Sequence, residues 1–214
     1  MLHKTQKVAV EALELLGDLH PLVEQLGSLD GLVTLAGASN SVQVQQITNV
    51  PELRGFLHNY HTRILWPVEL PAIQRAFIHA SRGEVRELVA LDEQLGQEPM
   101  LKNFAAASKR VGQGQLQKLR PLKDIRTVQR YLAAVDKGQA QGWHTLVYGL
   151  TLAVYSLPLR QGLFGYAQQT TRGFIHAAAP SLKLSDADAR SLFEELCHDL
   201  PGAVEPLLAQ GLVA

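Results

Sequence analysis

Apolar residues recur at helical spacing along almost the whole chain. One such stripe, at residues 6–16, consists of Val8, Ala12, Leu15 and Leu16. Alternation typical of a strand is convincing only at residues 42–45, which is four residues. A pattern of this kind favours helices packed on helices over a sheet. The sequence therefore predicts an all-α bundle of roughly nine or ten helices in one domain.

Capping residues mark the start of two of these helices. Asn49 is a plausible N-cap, and Pro51 follows it in the first turn of a helix expected to run to about residue 65. Ser185 and Asp188 have the spacing of a capping box. We expect the helix behind that box to run to about residue 200.

Prolines are expected to interrupt the helices because the ring removes a donor and clashes with the preceding turn. Pro67 is predicted to separate one helix from the next. Pro99 is predicted to begin a long helix that ends near residue 119. Pro158 should separate helices near residues 144–156 and 159–178.

The composition excludes several classes of protein. The 214 residues are 46% hydrophobic, which is enough for one sizeable core. A formal net charge of zero argues against a general nucleic-acid binder. A lone cysteine, Cys197, rules out an internal disulfide framework and fits the cytoplasm. We see no secretory signal at the N-terminus and no apolar run of about 18 residues that could span a membrane.

The segment from 142 to 196 is the most distinctive. It reads GWHTLVYG, then an apolar run to Leu-Pro-Leu at 157–159, then Gly165-Tyr166, Ala177-Ala178 and LFEEL at 192–196. This order and spacing resemble the second half of the urease accessory protein F (UreF) family. Upstream pieces are also similar to the family: PELRGFL at 51–57, LPAIQRA at 70–76, LVALD at 88–92, and Ala107-Ser108 followed by Gly112, Leu116 and Leu119.

The resemblance divides the chain, residues 1–214, into three parts of a single UreF-like all-α domain. Residues 50–200 are the best-matching core, and residues 201–214 form a C-terminal helix or tail. Residues 1–49 are a divergent N-terminal segment, because the stretch at 20–31 keeps Gly27-Ser28 but lacks the second Pro, the aromatic residue and the Gly-Leu-Glu of the family signature. Pro180, a helix breaker, stands where the family usually has an Arg.

Membership of this family implies an assembly factor without an active site or cofactor of its own. Family members form homodimers and bind a second accessory protein (UreH, also called UreD) and a GTPase (UreG). Together they deliver nickel to apo-urease. We therefore expect those protein partners, with no nucleic acid and no membrane. The alternative is a divergent UreF-fold scaffold for another assembly, which the altered signature and Pro180 favour.

Interface residues are expected where the resemblance and the composition point to contacts. Tyr166 and His144 lie at family positions, although a buried ring and a helix-terminal residue are the ordinary interpretations of each. Alanines allow close helix approach, in the core or at a dimer seam. A basic stretch at residues 102–130 could steer an acidic partner or simply face solvent. The predicted partner or dimer interface consists of Tyr166, His144, Ala177, Ala178, Lys109 and Arg110.

The sequence contains few motifs that would indicate an enzyme. His58 and His61 share a helix face and His79 lies on the next helix, but no Glu-x-x-His or Cys-x-x-Cys accompanies them, so no metal site is predicted. Gly112 and Gly114 lack the Lys-Ser/Thr of a phosphate loop. A histidine-ligated oxygenase would be the enzyme alternative, and it predicts a coloured or metal-containing protein.

Overall fold

A computed structural model describes residues 47–211, and among these the regular structure is helical throughout. The α-helices are α1 (Val50–Tyr60), α2 (Leu70–Arg82), α3 (Val85–Gly96), α4 (Ala105–Lys118), α5 (Arg126–Asp136), α6 (His144–Val154), α7 (Leu159–Leu182), α8 (Asp186–Cys197) and α9 (Leu200–Gly211). The helix predicted at residues 6–16 and the alternating residues 42–45 lie outside the described residues.

The all-α class is confirmed, but the predicted number of helices is not matched. A π-helical segment, His61–Glu69, joins α1 to α2 without a break. Only His198 and Asp199 separate α8 from α9. When α1 is counted with α2 and α8 with α9, the nine α-helices of the described residues form seven helical units rather than nine or ten.

Pro67 does not interrupt the helix, contrary to the sequence prediction. It lies inside the π-helical segment, where the N–H of Leu70 donates to the carbonyl of Leu65, five residues earlier. A π-turn is wider than an α-turn, so the ring of a proline can be accommodated without the usual clash. The wider turn also places His61 and Glu69 on the buried side of the segment.

Two other proline predictions were wrong. Pro99 begins a short 3₁₀ turn, Pro99–Leu101, and α4 starts separately at Ala105. Pro180 lies inside α7, which continues to Leu182 and ends where Lys183 adopts φ 52°. Because the N–H groups of Lys183 and Leu184 both donate to Ala179, the helix end is held in spite of the missing proline donor.

Both predicted helix caps are confirmed. The side chain of Asn49 accepts from the N–H of Glu52 at 2.9 Å. The hydroxyl of Ser185 accepts from the N–H of Asp188 at 3.2 Å and donates to the Asp188 carboxylate at 2.6 Å. Each cap satisfies a donor that the first helical turn leaves without an intrahelical partner.

Helix α6 lies at the centre of the fold. Every residue from His144 to Leu152 is buried, as expected for a helix that is apolar on all sides. It packs chiefly against α2 and α4, and α7 contacts α1, α2 and α6. At Gly149 an added Cβ would lie 2.5 Å from the Ile73 carbonyl oxygen, so only glycine allows the backbones of α6 and α2 to approach this closely.

No helix among the described residues is long and apolar enough to cross a membrane.

Candidate functional site

A buried carboxylate organises the loop that leads into α6. Asp92, on α3, is fully buried and accepts hydrogen bonds from the N–H groups of Gln141 at 2.5 Å and Gly142 at 2.9 Å. A longer bond comes from the N–H of Trp143 at 3.4 Å, and the Tyr131 hydroxyl donates at 2.7 Å. A negative charge at this place also suits the positive end of the α6 dipole. Asp92 therefore fixes the entry to the central helix.

Three rings meet next to this entry and form what we call the ring cluster: His144, Tyr148 and Tyr166. The Tyr166 ring centroid lies 5.8 Å from that of His144 and 5.2 Å from that of Tyr148. The Tyr148 hydroxyl donates to the Gly162 carbonyl at 3.0 Å. Neither ring nitrogen of His144 has a hydrogen-bond partner. Burial lowers the pKa of His144 to about 4, so the imidazole is neutral at physiological pH.

Glu69, from the π-helical segment, borders the ring cluster. The Tyr60 hydroxyl donates to its carboxylate at 2.5 Å. The Tyr166 hydroxyl makes no bond of ordinary geometry, yet it is close enough to interact with Glu69 electrostatically. Burial raises the pKa of Glu69 to about 7, and the neighbouring hydroxyls of Tyr60 and Tyr166 partly oppose that rise. Among the described residues, Glu69 is therefore a buried carboxyl group whose pKa lies near neutral pH.

Replacing Glu69 with glutamine should change how stability depends on pH. The pKa of Glu69 is about 7 in the folded protein and 4.5 in the ordinary reference state, so folding is favoured by protonation. The stability that the wild type gains from protonation of Glu69 is complete below pH 4.5 and is lost as the pH rises through about 7. Glutamine does not titrate, so the free energy of unfolding of Glu69→Gln relative to wild type should increase by about 3 kcal/mol between those pH values.

Urea unfolding at a series of pH values measures this difference. His61 and His144 titrate in both proteins, so their opposite contributions cancel in the comparison. Glu205→Gln, at an exposed residue paired with Arg160, is the matched control. If the difference in free energy of unfolding between Glu69→Gln and wild type did not change with pH, as expected for the control, the buried carboxyl would titrate normally.

The structure divides the predicted interface residues between the core and the surface. Tyr166, His144 and Ala178 are 1%, 2% and 1% exposed, so their side chains face the interior of this chain. Arg110 is exposed, and Ala177 and Lys109 are partly exposed. The ammonium group of Lys109 lies 5.0 Å from the Trp143 ring centroid. Their place in an interface stays a prediction.

The histidines considered as metal ligands make separate contacts. The Nε2 of His61 lies 2.7 Å from the Thr171 hydroxyl, and the Nδ1 of His79 lies 2.8 Å from the Glu84 carboxylate. His58 is exposed. Within residues 47–211 no group of three or more His, Cys, Asp or Glu side chains is arranged to hold a metal ion. Cys197 is half-buried, and burial raises the pKa of its thiol to about 11.

A comparison with models of protein families shows which family this chain belongs to. The family model named UreF matches residues 47–197, which is well over half of the chain. The chain belongs to the UreF family. A search of curated proteins found no match. UreF membership implies a urease accessory role. The match begins at residue 47, so the stretch at 20–31 that lacks the UreF signature lies outside it.

The pieces of sequence that resemble UreF meet around α6. LPAIQRA lies on α2, against Gly149. LVALD lies on α3 and ends in Asp92, which caps the loop before His144. Ala107-Ser108 and Gly112 lie on α4, and the Ser108 hydroxyl accepts from the N–H of His144 at 3.2 Å. The UreF motifs of this chain are therefore in large part the contacts of its central helix.

Sequence reasoning missed the two carboxylates that are buried among the described residues, Asp92 and Glu69. Asp92 follows four apolar residues in LVALD, and an acid that ends such a segment signals a buried acceptor. Glu69 carries no comparable signal, because its burial depends on the π-helical segment that turns it inward.

Proposed function

We propose that this UreF-family chain is a urease accessory subunit that bridges a UreH/UreD-type accessory protein and a UreG-type GTPase during nickel insertion into apo-urease. The observation that carries the proposal is the family match over residues 47–197, which covers every motif of the core. In the proposed role the protein acts by contact, as a homodimer, and nickel is cargo rather than a resident cofactor.

The packing of the core supports a role as a rigid adaptor. The α6 helix is enclosed, its entry is fixed by Asp92, and glycines set its distance from α2 and α4. A body built in this way can hold two partners in a fixed relative orientation, because well-packed helices have few alternative arrangements. The surface, rather than an internal cavity, is then the working part.

Light scattering on a sizing column tests the proposal. The full chain would be run alone and then with the UreH/UreD-type protein and the UreG-type GTPase of the same cell. We expect a homodimer that shifts to a larger complex when the partners are added. If the chain formed no complex with either partner, the bridging role would be contradicted and only the family fold would remain.

A scaffold for another assembly is the second candidate, and Pro180 favours it. This residue stands where the family usually has an arginine, and α7 accommodates it without breaking. The fold thus tolerates the exchange, but a contact that needed the arginine charge is lost. If Pro180→Arg restored urease activation, the chain would be a urease accessory protein whose activity is weakened by Pro180. If it did not, a role in a different assembly would be favoured.

Replacing His58 with alanine should leave urease activation unchanged. His58 is exposed, and the imidazole of His61 is already engaged with Thr171. Because no group of three or more possible ligands among the described residues is arranged to hold a metal ion, we expect nickel to have little affinity for this surface imidazole. Urease activity in cells that carry His58→Ala as their sole copy measures this. A loss of activity with a normal melting temperature would show that His58 takes part in delivery.

A further inference from the structure

Three polar side chains on α6 and α7 carry atoms without a hydrogen-bond partner among the described residues. They are His144, with both of its ring nitrogens, and Tyr166 and Thr170, with their hydroxyls, and we call them the unpartnered cluster. Each residue is at most 2% exposed, so bulk solvent does not reach these atoms. Buried polar atoms in folded proteins nearly always bond to the protein or to an ordered water molecule. The cluster therefore has unused hydrogen-bonding capacity inside the core.

The polar groups of this cluster lie close together. Tyr166 and Thr170 are one helical turn apart on α7, so their side chains share a face. The Tyr166 hydroxyl is close enough to interact with the Thr170 hydroxyl and with the Glu69 carboxyl, although neither contact has the geometry of a direct bond. The ring of His144 lies against that of Tyr166, with 5.8 Å between the centroids. The unused donors and acceptors thus converge where α6, α7 and the π-helical segment meet.

The cluster offers both donors and acceptors to a ligand. A neutral imidazole has one of each, and a hydroxyl can donate one bond and accept others. A water molecule also donates and accepts, and a buried water typically has two to four polar partners. With four unpartnered atoms on its three side chains, the cluster meets that requirement.

Ions are poorer ligands for the unpartnered cluster. Among residues 47–211 no group of three or more His, Cys, Asp or Glu side chains is arranged to hold a metal ion. A buried anion would need a cationic partner, but burial lowers the pKa of His144 to about 4, so its imidazole is neutral at physiological pH. A small neutral molecule that donates and accepts at once fits best, and water has these properties.

We propose that the unpartnered cluster binds internal water, which bridges the His144 imidazole to the hydroxyls of Tyr166 and Thr170. A bridging water is nearly as good a partner as a direct hydrogen bond, so the buried atoms are satisfied without any rearrangement of the rings. The water forms a hydrogen-bonded joint between α6 and α7. This joint belongs to the core and does not depend on the proposed function.

Magnetic relaxation dispersion of the water oxygen nucleus counts the water molecules held inside a protein and tests the inference. The full chain would be compared with Thr170→Val and Tyr166→Phe, each of which removes one hydroxyl of the cluster. Thr151→Val is the matched control, because the Thr151 hydroxyl is fully buried but already donates to the Val147 carbonyl at 2.6 Å. Differences between variants are the measure, since a globular protein holds about one buried water for every 27 residues. We expect each cluster variant to lose at least one internal water and the control to lose none.

Urea unfolding of Thr170→Val gives an independent result. In a dry core the substitution would remove an unsatisfied hydroxyl and raise the unfolding midpoint, whereas in a hydrated cluster it removes a bonded hydroxyl and lowers the midpoint. We expect a lower midpoint. An unchanged internal water count in both cluster variants would overturn the inference, and a lower midpoint would then indicate a direct bond between Tyr166 and Thr170. A raised midpoint for Thr170→Val would overturn it as well.

Discussion

Replacing Gly112 with alanine should lower the free energy of unfolding by about 3 kcal/mol. An added Cβ at this position of α4 would lie 2.6 Å from the backbone nitrogen of His144 and 2.7 Å from the carbonyl carbon of Trp143. These are backbone atoms of a loop that Asp92 holds in place, so they cannot move aside as a flexible side chain could. The helix must shift instead, and its packing against α6 is lost.

Gly114→Ala is the matched control, two residues along the same helix. Nothing lies within 4 Å of an added Cβ there, so the substitution should raise stability by about 0.5–1 kcal/mol through helix propensity alone. Urea unfolding followed by circular dichroism measures both variants. If Gly112→Ala gained stability like Gly114→Ala, the close approach of α4 to the loop before α6 would be wrong.

Replacing Asp92 with alanine should cost about 4 kcal/mol, because several buried donors lose their acceptor at once. The carboxylate accepts from Gln141, Gly142 and Tyr131 at distances of 2.9 Å or less. In the alanine variant these groups stay buried without partners, and the cavity left by the side chain adds to the loss. Asp92→Asn should lose less, since its single amide oxygen can still accept.

Asp136→Ala is the comparison for an exposed carboxylate. Asp136 pairs with Arg120 at the surface, and such pairs contribute at most about 1 kcal/mol. Thermal and urea unfolding of both variants give the two free energies. Similar losses for Asp92→Ala and Asp136→Ala would mean that the entry to α6 finds other acceptors and does not depend on Asp92.

Local features of the fold could be predicted from the sequence. The caps at Asn49 and Ser185 were correct because a cap requires only the side chain and the backbone three residues onward. The helix predicted near residues 144–156 was also correct, and it is buried because it has no polar side to present to water. The family resemblance over the core was confirmed as well.

Features that depend on contacts between distant residues could not be predicted. The helix continues through Pro67 because the segment adopts π-type hydrogen bonding, which no local sequence pattern predicts. Asp92 finds its donors some fifty residues away along the chain, at Gln141 and Gly142. A buried ring was one of the two interpretations of Tyr166 that the sequence left open, but its contact with His144 emerges only when α6 and α7 are packed together.

Activation of purified apo-urease tests the central claim most directly. The reaction would contain nickel, GTP, the UreH/UreD-type protein and the UreG-type GTPase, with or without this chain. The account predicts that urease activity and nickel bound per apo-urease both rise only when the chain is present, and that Gly112→Ala and Asp92→Ala reduce them in proportion to the folded fraction. Equal activation and nickel loading without the chain would contradict a role in urease maturation.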